Sequence, residues 1–243
     1  MRPWAKLPTW WYREDYGLQQ LLGGKQAGES QAALRVYLAA AILDERPVDS
    51  FEVVASLSRL EDVTGLSRPT VTKGLDRAEE AKLIRITRGG PTAASKIQLV
   101  CPEHEQEQAG GWAKLPGPEV LKRVPEIPHR GVGGLTALKI YATLIAARPN
   151  DDPVVKLRHM TLRAKTGVQS RDVRRGITLL GNVGLIDVNS EDPAFRWGLD
   201  NEQGRQAHRY LLHGKFDTRR GQLAIATPNP ASSLTNLSTN QHA

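Results

Sequence analysis

The sequence has one cysteine, Cys101, among its 243 residues, and it has no long apolar run. A lone cysteine excludes an intrachain disulfide and is typical of a reducing compartment, so we expect a cytoplasmic protein. The most apolar stretch, residues 32–43, contains Arg35 and is too short to span a bilayer, so it predicts a buried helix and no membrane partner. Residues 1–4 lack an apolar signal core, so we expect no secretory leader.

Motifs for catalysis and for cofactor binding are also missing. The chain has no Gly-Lys-Ser/Thr phosphate loop, no nucleophile elbow and no cysteine pair that could hold zinc. His208 and His213 lie five residues apart on a predicted strand, so they point to opposite faces and make a poor metal pair. The glycine run at residues 131–134 is more typical of a hinge than of a phosphate loop. We therefore predict no enzymatic activity and no cofactor.

Positive charge is what the chain has in excess. It carries 33 lysines and arginines against 26 acidic residues, which gives a formal net charge of +7. The isoelectric point is about 9.7. Such a balance suits a polyanionic partner, and the composition alone leaves nucleic acid and an anionic membrane surface both open.

The sequence is also duplicated. The segment WAKLP at residues 4–8 returns at residues 112–116, and residues 64–86 align with residues 166–188 without a gap. Between these segments, LRVY at residues 34–37 corresponds to LKIY at residues 138–141. Matches in the same order at nearly constant offset predict two similar domains. We place the first at 1–101 and the second at 112–220, with a flexible linker at 102–111 and a disordered tail at 221–243.

Both copies predict the same order of elements, and the fold class is α+β, mainly α. In copy one we expect a helix that follows Ser30 and runs to about residue 43, a helix at 58–64, a turn at Gly65 and a helix capped by Ser67. In copy two we expect a helix capped by Thr136, a helix at 161–166, a turn at Gly167 and a helix at 170–182. A two-stranded hairpin follows in each copy, at 83–88 with 96–100, and at 185–189 with 207–213.

The segment TGLSRPTVTKGL at residues 64–75, followed by KLI at 82–84, resembles the winged helix-turn-helix superfamily. Copy two matches it at residues 166–168, Val173, Gly176, Ile177 and residues 185–186. The resemblance implies two tandem winged-helix domains. In layout the chain is also similar to replication initiators of plasmids and phages and to regulators of mobile elements.

The predicted DNA-binding residues lie on the third helix and the hairpin of each copy. Long cations there can reach guanine acceptors or phosphates, and threonine can meet a thymine methyl group. The predicted set is Ser67, Arg68, Thr70, Thr72, Lys73, Arg77, Arg88 and Lys96 in copy one, and Ser170, Arg171, Arg174, Arg175, Arg196 and Arg205 in copy two. Leu179 replaces Arg77 in copy two, and we expect it to be buried.

These patterns predict a sequence-specific binding protein of double-stranded DNA, which is associated with the nucleoid when it is bound to DNA. We expect a transcription regulator of a mobile element, with a plasmid or phage replication initiator as the alternative. A winged-helix protein-interaction module is the alternative of another class, and homodimer formation is left open. Two tandem copies in one chain need no twofold axis, so we expect half-sites in successive major grooves that do not have to form an inverted repeat.

Overall fold

A computed structural model describes residues 3–13, 17–44, 51–89, 93–102, 111–188 and 207–216. The predicted tail, most of the predicted linker, Arg196 and Arg205 lie outside the described residues. The fold is α+β and mainly α. Within the described ranges, no helix has both the length and the apolarity needed to cross a membrane.

The two copies contain matching elements in the same order. Copy one consists of β1 (Ala5–Pro8), α1 (Trp10–Arg13), α2 (Ala27–Leu43), β2 (Glu52–Ala55), α3 (Leu57–Thr64), α4 (Arg68–Glu80), β3 (Ile84–Thr87) and β4 (Ser95–Leu99). Copy two consists of β5 (Trp112–Leu115), α5 (Gly117–Arg123), α6 (Val132–Ala147), β6 (Val154–Leu157), α7 (His159–Thr166), α8 (Ser170–Asn182), β7 (Ile186–Val188) and β8 (His208–Leu212). Two 3-10 turns precede α2 and one precedes α6.

The predicted hairpins are present, and each gains a third strand that the sequence does not signal. The strand orders are β2-β4-β3 and β6-β8-β7, and all pairs are antiparallel. Ile97 stands opposite both Val53 and Ile86, and Tyr210 stands opposite Val155 and Val188. β2 and β6 have four residues each, which is too short for a period-2 pattern to be distinguished from a loop.

The turns between α3 and α4 and between α7 and α8 are built in the same way. Gly65 and Gly167 have φ angles of 67° and 66°, a left-handed conformation that glycine adopts without steric cost. The Thr64 hydroxyl donates to the Leu60 carbonyl at 2.6 Å and accepts from the Leu66 amide at 3.3 Å. Thr166 makes the matching pair of hydrogen bonds in copy two. The repeated Thr-Gly pair therefore fixes one turn geometry twice.

A glycine in the middle of α4 and of α8 lets each helix approach its supporting helix closely. A Cβ atom on Gly74 would lie 2.9 Å from the backbone carbonyl carbon of Ala32 on α2. A Cβ atom on Gly176 would lie 2.8 Å from side-chain carbons of Ile140 and Thr136 on α6. Both glycines are buried, so tertiary packing outweighs their low helix propensity.

The structure corrects two predicted helix starts. α2 begins at Ala27 rather than after Ser30, and Ser30 is fully buried inside it. α6 begins at Val132, so Thr136 is a buried residue of the helix interior rather than its cap. The glycine run is therefore the start of α6 and not a hinge. Its position follows from packing, since Gly134 lies against Pro128 and Gln31, where a side chain would collide.

The two copies share one hydrophobic core. β1 pairs with β5, so the repeated WAKLP segments form a two-stranded sheet with each other. Helices α2 and α6 also pack against one another, and the buried apolar residues of both copies form a continuous cluster. Trp10 and Trp11 are buried in this core, and Trp4 stacks on Trp112.

One buried cation in each copy ties the central helix to its turn. Arg35 on α2 donates to the Thr64 carbonyl at 3.2 Å and to the Ile127 carbonyl of copy two. Lys139, the matching residue on α6, donates to the Thr166 carbonyl at 2.8 Å. Burial lowers the pKa of Arg35 to about 10 and that of Lys139 to about 8. These cations satisfy carbonyls at the C-terminal ends of α3 and α7, which have no partner inside the helix.

Candidate nucleic-acid interface

The predicted site residues of copy two lie on the exposed side of α8. Val173, Ile177 and Leu180 form its buried side against α6, and Gln169 starts the helix in an extended conformation. The guanidinium groups therefore point away from the core. Arg171 is 82% exposed, and Arg174 and Arg175 are also exposed. Ser170, the first residue of α8, is exposed beside them.

Two exposed cations of α4, Arg68 and Lys73, are ion-paired with carboxylates of neighbouring helices. Arg68 lies 3.2 Å from the Glu61 carboxylate on α3 and also donates to the Ser58 hydroxyl. Lys73 lies 3.4 Å from the carboxylate of Glu29 on α2. These pairs are solvent-exposed, so each is worth at most about 1 kcal/mol and a phosphate can replace the carboxylate.

Position 133 explains why the pairing differs between copies. Gly133 corresponds to Glu29, as Arg175 corresponds to Lys73. The Arg175 guanidinium passes beside Gly133, where a Cβ atom would lie 3.7 Å from Nε. Arg175 therefore has no carboxylate partner within the described ranges, and its charge is not compensated locally.

Arg175 also lines a cavity of about 560 Å³ together with Arg130, the Gly131–Gly134 run and Asn182. The N-terminus of α6 opens into this cavity, since Gly131 is the residue that precedes the helix. Two guanidinium groups beside a helix N-terminus make an environment that favours an anion such as a DNA phosphate. Arg130 is not in the predicted set, because only the fold brings it next to α8.

Arg77 differs from the rest of the predicted set. Its side chain is 16% exposed, and it donates to the Gln20 carbonyl and pairs with Glu80. It holds α4 against the segment before α2 instead of facing outward. Leu179, its counterpart on α8, is half-buried and packs against the core, which is the burial that the sequence analysis expects.

The hydroxyl groups at the start of α4 are engaged with one another. The Ser67 and Thr70 hydroxyls lie 2.9 Å apart, and Thr72 donates to the Arg68 carbonyl at 3.1 Å. Ser67 occupies the N-cap position as predicted, but its side chain makes no hydrogen bond to the helix backbone. A hydrogen bond from either hydroxyl to a DNA base would therefore replace the hydrogen bond that Ser67 and Thr70 make with each other.

The hairpin cations of copy one are paired as well. Arg88 makes an ion pair with Asp76 on α4, and Lys96 lies 2.7 Å from the Glu52 carboxylate on β2. Both side chains remain about half exposed. Arg88 thus fixes the hairpin next to α4, and this places both on one side of the copy.

The two regions differ most in charge. Residues 57–80, which span α3 and α4, carry four cations and five carboxylates. Residues 159–182, which span α7 and α8, carry five cations and one carboxylate, Asp172. The same backbone arrangement is therefore slightly acidic in copy one and strongly basic in copy two.

A histidine pair lies at the start of α7. The rings of His159 and His208 stack with centroids 4.2 Å apart. Burial, with smaller contributions from His208 and Arg174, lowers the pKa of His159 to about 4. His213 is separate and lies 2.8 Å from Asp187. The described residues contain no cluster of three or more His, Cys, Asp or Glu side chains that could hold a metal ion.

Comparison of the chain with protein-family models finds no match, and comparison with curated proteins finds none either.

Proposed function

We propose that the chain is a sequence-specific binding protein of double-stranded DNA that uses two winged helices, with α4 and α8 as the recognition helices. The observation that carries this proposal is the exposed side of α8. Arg171, Arg174 and Arg175 lie there on a helix that a left-handed glycine turn and a buried apolar side hold in place. Arginine donors in this arrangement suit bidentate contact with guanine and contact with phosphates.

Charge supports a polyanionic partner for the same surface. Residues 159–182 carry only one carboxylate, and Arg130 and Arg175 both line the cavity at the N-terminus of α6. A DNA phosphate beside that helix end would contact the Arg130 guanidinium and the positive end of the helix dipole, while Arg175 on α8 would contact a base edge. The hairpins would add contacts to the DNA backbone on either side of the recognition helices.

The test is the dependence of DNA affinity on salt, measured by fluorescence anisotropy with the full chain. If each copy neutralises about three or four phosphates, the slope of log affinity against log salt is roughly −5 to −7. A slope near zero contradicts DNA binding. The control is Lys25→Gln, which removes an exposed cation of the 3-10 turn before α2 that belongs to neither recognition helix; this variant should keep the slope.

For the biological role, we propose a transcription regulator of a mobile element, and a plasmid or phage replication initiator is the alternative. Both fit a basic chain with two recognition helices and no nucleotide-binding loop. An initiator opens the duplex next to its sites, so permanganate reactivity of thymines appears there when the chain binds. A regulator leaves the duplex closed and changes transcription from a promoter that overlaps its site.

Copy one has a second candidate function, as a protein-interaction module. The observation that favours it is the excess of carboxylates on α3 and α4, together with the ion pairs of Arg68 and Lys73. The charge reversal Lys73→Glu separates the two functions. If α4 contacts DNA, affinity falls and the slope becomes shallower; if α4 contacts a protein, DNA binding is unchanged.

A further inference from the structure

The pairing of β1 with β5 relates the two copies by a local twofold axis. Ala5 stands opposite Leu115 and Leu7 stands opposite Ala113, while Lys6 stands opposite Lys114. In the repeat, Ala5 corresponds to Ala113, Lys6 to Lys114 and Leu7 to Leu115. Exchanging the two copies therefore turns the Ala5–Leu115 pair into the Leu7–Ala113 pair and leaves the Lys6–Lys114 pair unchanged, so Lys6 and Lys114 lie at the axis. Only a half-turn exchanges equivalent antiparallel strands in this register.

The aromatic contacts beside these strands are reciprocal in the same way. The Lys6 ammonium lies 4.6 Å from the Trp112 ring centre, and the Lys114 ammonium lies 5.2 Å from the Trp4 ring centre. The two indole rings stack on each other, with 5.9 Å between centroids and 13° between planes. Each copy thus gives and receives the same contact, which is the property of an isologous interface.

A third set of reciprocal contacts reaches the two turns. Gln19, which follows β1, donates to the Ala164 carbonyl of α7 at 2.7 Å and lies against Gly167. Pro125, which follows β5, lies against Gly65 of the other copy. The segment after each first strand therefore supports the turn of the opposite copy. Because α4 packs on α2, α8 packs on α6, and α2 packs on α6, the same half-turn relates the recognition helices.

We infer that one chain binds a DNA site made of two unequal half-sites in inverted orientation. This inference rests on the proposed function. Recognition helices related by a twofold axis meet the duplex about one of its own twofold axes, so they contact half-sites that run in opposite directions. The tandem order of the copies in the chain does not set this orientation. The inference replaces the sequence-based expectation, which requires no twofold axis and leaves the orientation open.

The half-sites differ in sequence because the two helices present different residues. At matched positions, Thr72 and Lys73 on α4 correspond to Arg174 and Arg175 on α8, and Pro69 corresponds to Arg171. A natural site therefore does not look palindromic, even when its halves are inverted. If the two helices present the same residues, the preferred DNA site should be a palindrome.

The experiment makes residues 68–73 of α4 and residues 170–175 of α8 identical, in both possible directions. The first variant gives α8 the residues of α4, through Ser170→Arg, Arg171→Pro, Asp172→Thr, Arg174→Thr and Arg175→Lys. The second variant gives α4 the residues of α8, through Arg68→Ser, Pro69→Arg, Thr70→Asp, Thr72→Arg and Lys73→Arg. Neither changes Val71, Val173 or the buried glycines, and circular dichroism checks the fold. Each variant and the natural chain select sites from a randomised duplex library at low salt.

We expect each variant to select a palindrome, each built from a different half-site, with one chain per duplex by analytical ultracentrifugation. Inverting one half-site in the selected duplex should weaken binding by about tenfold or more. Direct repeats, single half-sites, or palindromes that hold two chains would each overturn the inference while leaving DNA binding intact. If the natural chain enriches no sequence, the proposed function itself fails. Because the two variants alter opposite copies, either one that folds gives the answer.

Discussion

Residues 57–80 and 159–182 share one backbone arrangement but have opposite surface chemistry. Their turns agree to within about a degree in the glycine φ angle, and the same threonine hydrogen bonds close them. Their exposed sides do not agree, because Glu29 balances Lys73 while Gly133 leaves Arg175 unbalanced. The two copies thus keep the side chains that pack in the core and differ at positions whose side chains contact only solvent or a ligand. If the chain binds DNA as proposed, we expect copy two to supply most of the binding free energy.

The largest effect that we expect in this comparison is on folding, at the buried glycines. Gly74→Ala places a methyl group against the backbone of Ala32, which cannot move away, so the free energy of unfolding should fall by about 1–3 kcal/mol. Gly176→Ala meets side-chain atoms of Ile140 and Thr136, which can shift in part, so its loss should be smaller. Urea denaturation followed by circular dichroism measures both. Equal losses would show that the two helix pairs are packed alike.

The next effect is on DNA affinity, at the matched cations. Arg175→Ala should weaken binding to the selected site by about 1–3 kcal/mol, and less on random DNA. Lys73→Ala should cost less, because Lys73 already has a carboxylate partner that must be exchanged for DNA. Fluorescence anisotropy on specific and random duplexes measures both variants. Equal losses on both duplexes would reassign Arg175 to phosphate contact.

The reciprocal change sharpens this comparison. Glu29→Gly gives copy one the residue that stands at position 133 and removes the partner of Lys73. DNA affinity should then rise, and the cost of Lys73→Ala in that background should approach the cost of Arg175→Ala. Gly133→Glu should do the opposite in copy two. No change from either substitution would mean that the ion pair does not control the contribution of copy one.

The smallest effect that we expect is a sensitivity to acid that only copy two has. The pKa of His159 is about 4 in the folded protein and about 6.5 in an unfolded chain, so unfolding takes up a proton between these values. Stability should therefore be complete above pH 6.5 and decline as the pH falls toward 4. After allowance for solvent screening, the loss due to His159 is about 1–2 kcal/mol. The groups that face it are His208 and Arg174, both of which disfavour its protonation.

Leu57 occupies the matching position in copy one, so His159→Leu is the natural test variant. Urea midpoints at pH 7 and pH 5 should differ less for this variant than for the natural chain. His213→Gln is the control, because His213 pairs with Asp187 at the surface, and it should retain the acid sensitivity of the natural chain. If His159→Leu and the natural chain lose equal stability, the buried histidine is not the acid-sensitive group.

Local sequence signals were sufficient for the helices next to the turns. The Thr-Gly pairs, Ser67 with Pro69, and the apolar period of α8 predict α3, α4, α7 and α8 to within two residues. The starts of α2 and α6 could not be predicted, because Ser30 and Thr136 look like caps and are instead buried between helices. Arg77 and Arg130 show the same limit for the site. One is drawn inward by the Gln20 carbonyl, and the other is brought to α8 only by the fold.

The sequence by itself determined the duplication, the paired turns and the basic side of α8, because these depend on residue identity at short spacing. The tertiary structure alone decided that the WAKLP segments pair with each other and that a half-turn relates the copies. A repeat in the sequence does not determine how the two copies are oriented relative to each other. Copies related by a translation and copies related by a half-turn can bury the same residues. The orientation is set by contacts between residues more than 100 positions apart, such as Lys6 with Trp112 and Gln19 with Ala164 in the opposite copy.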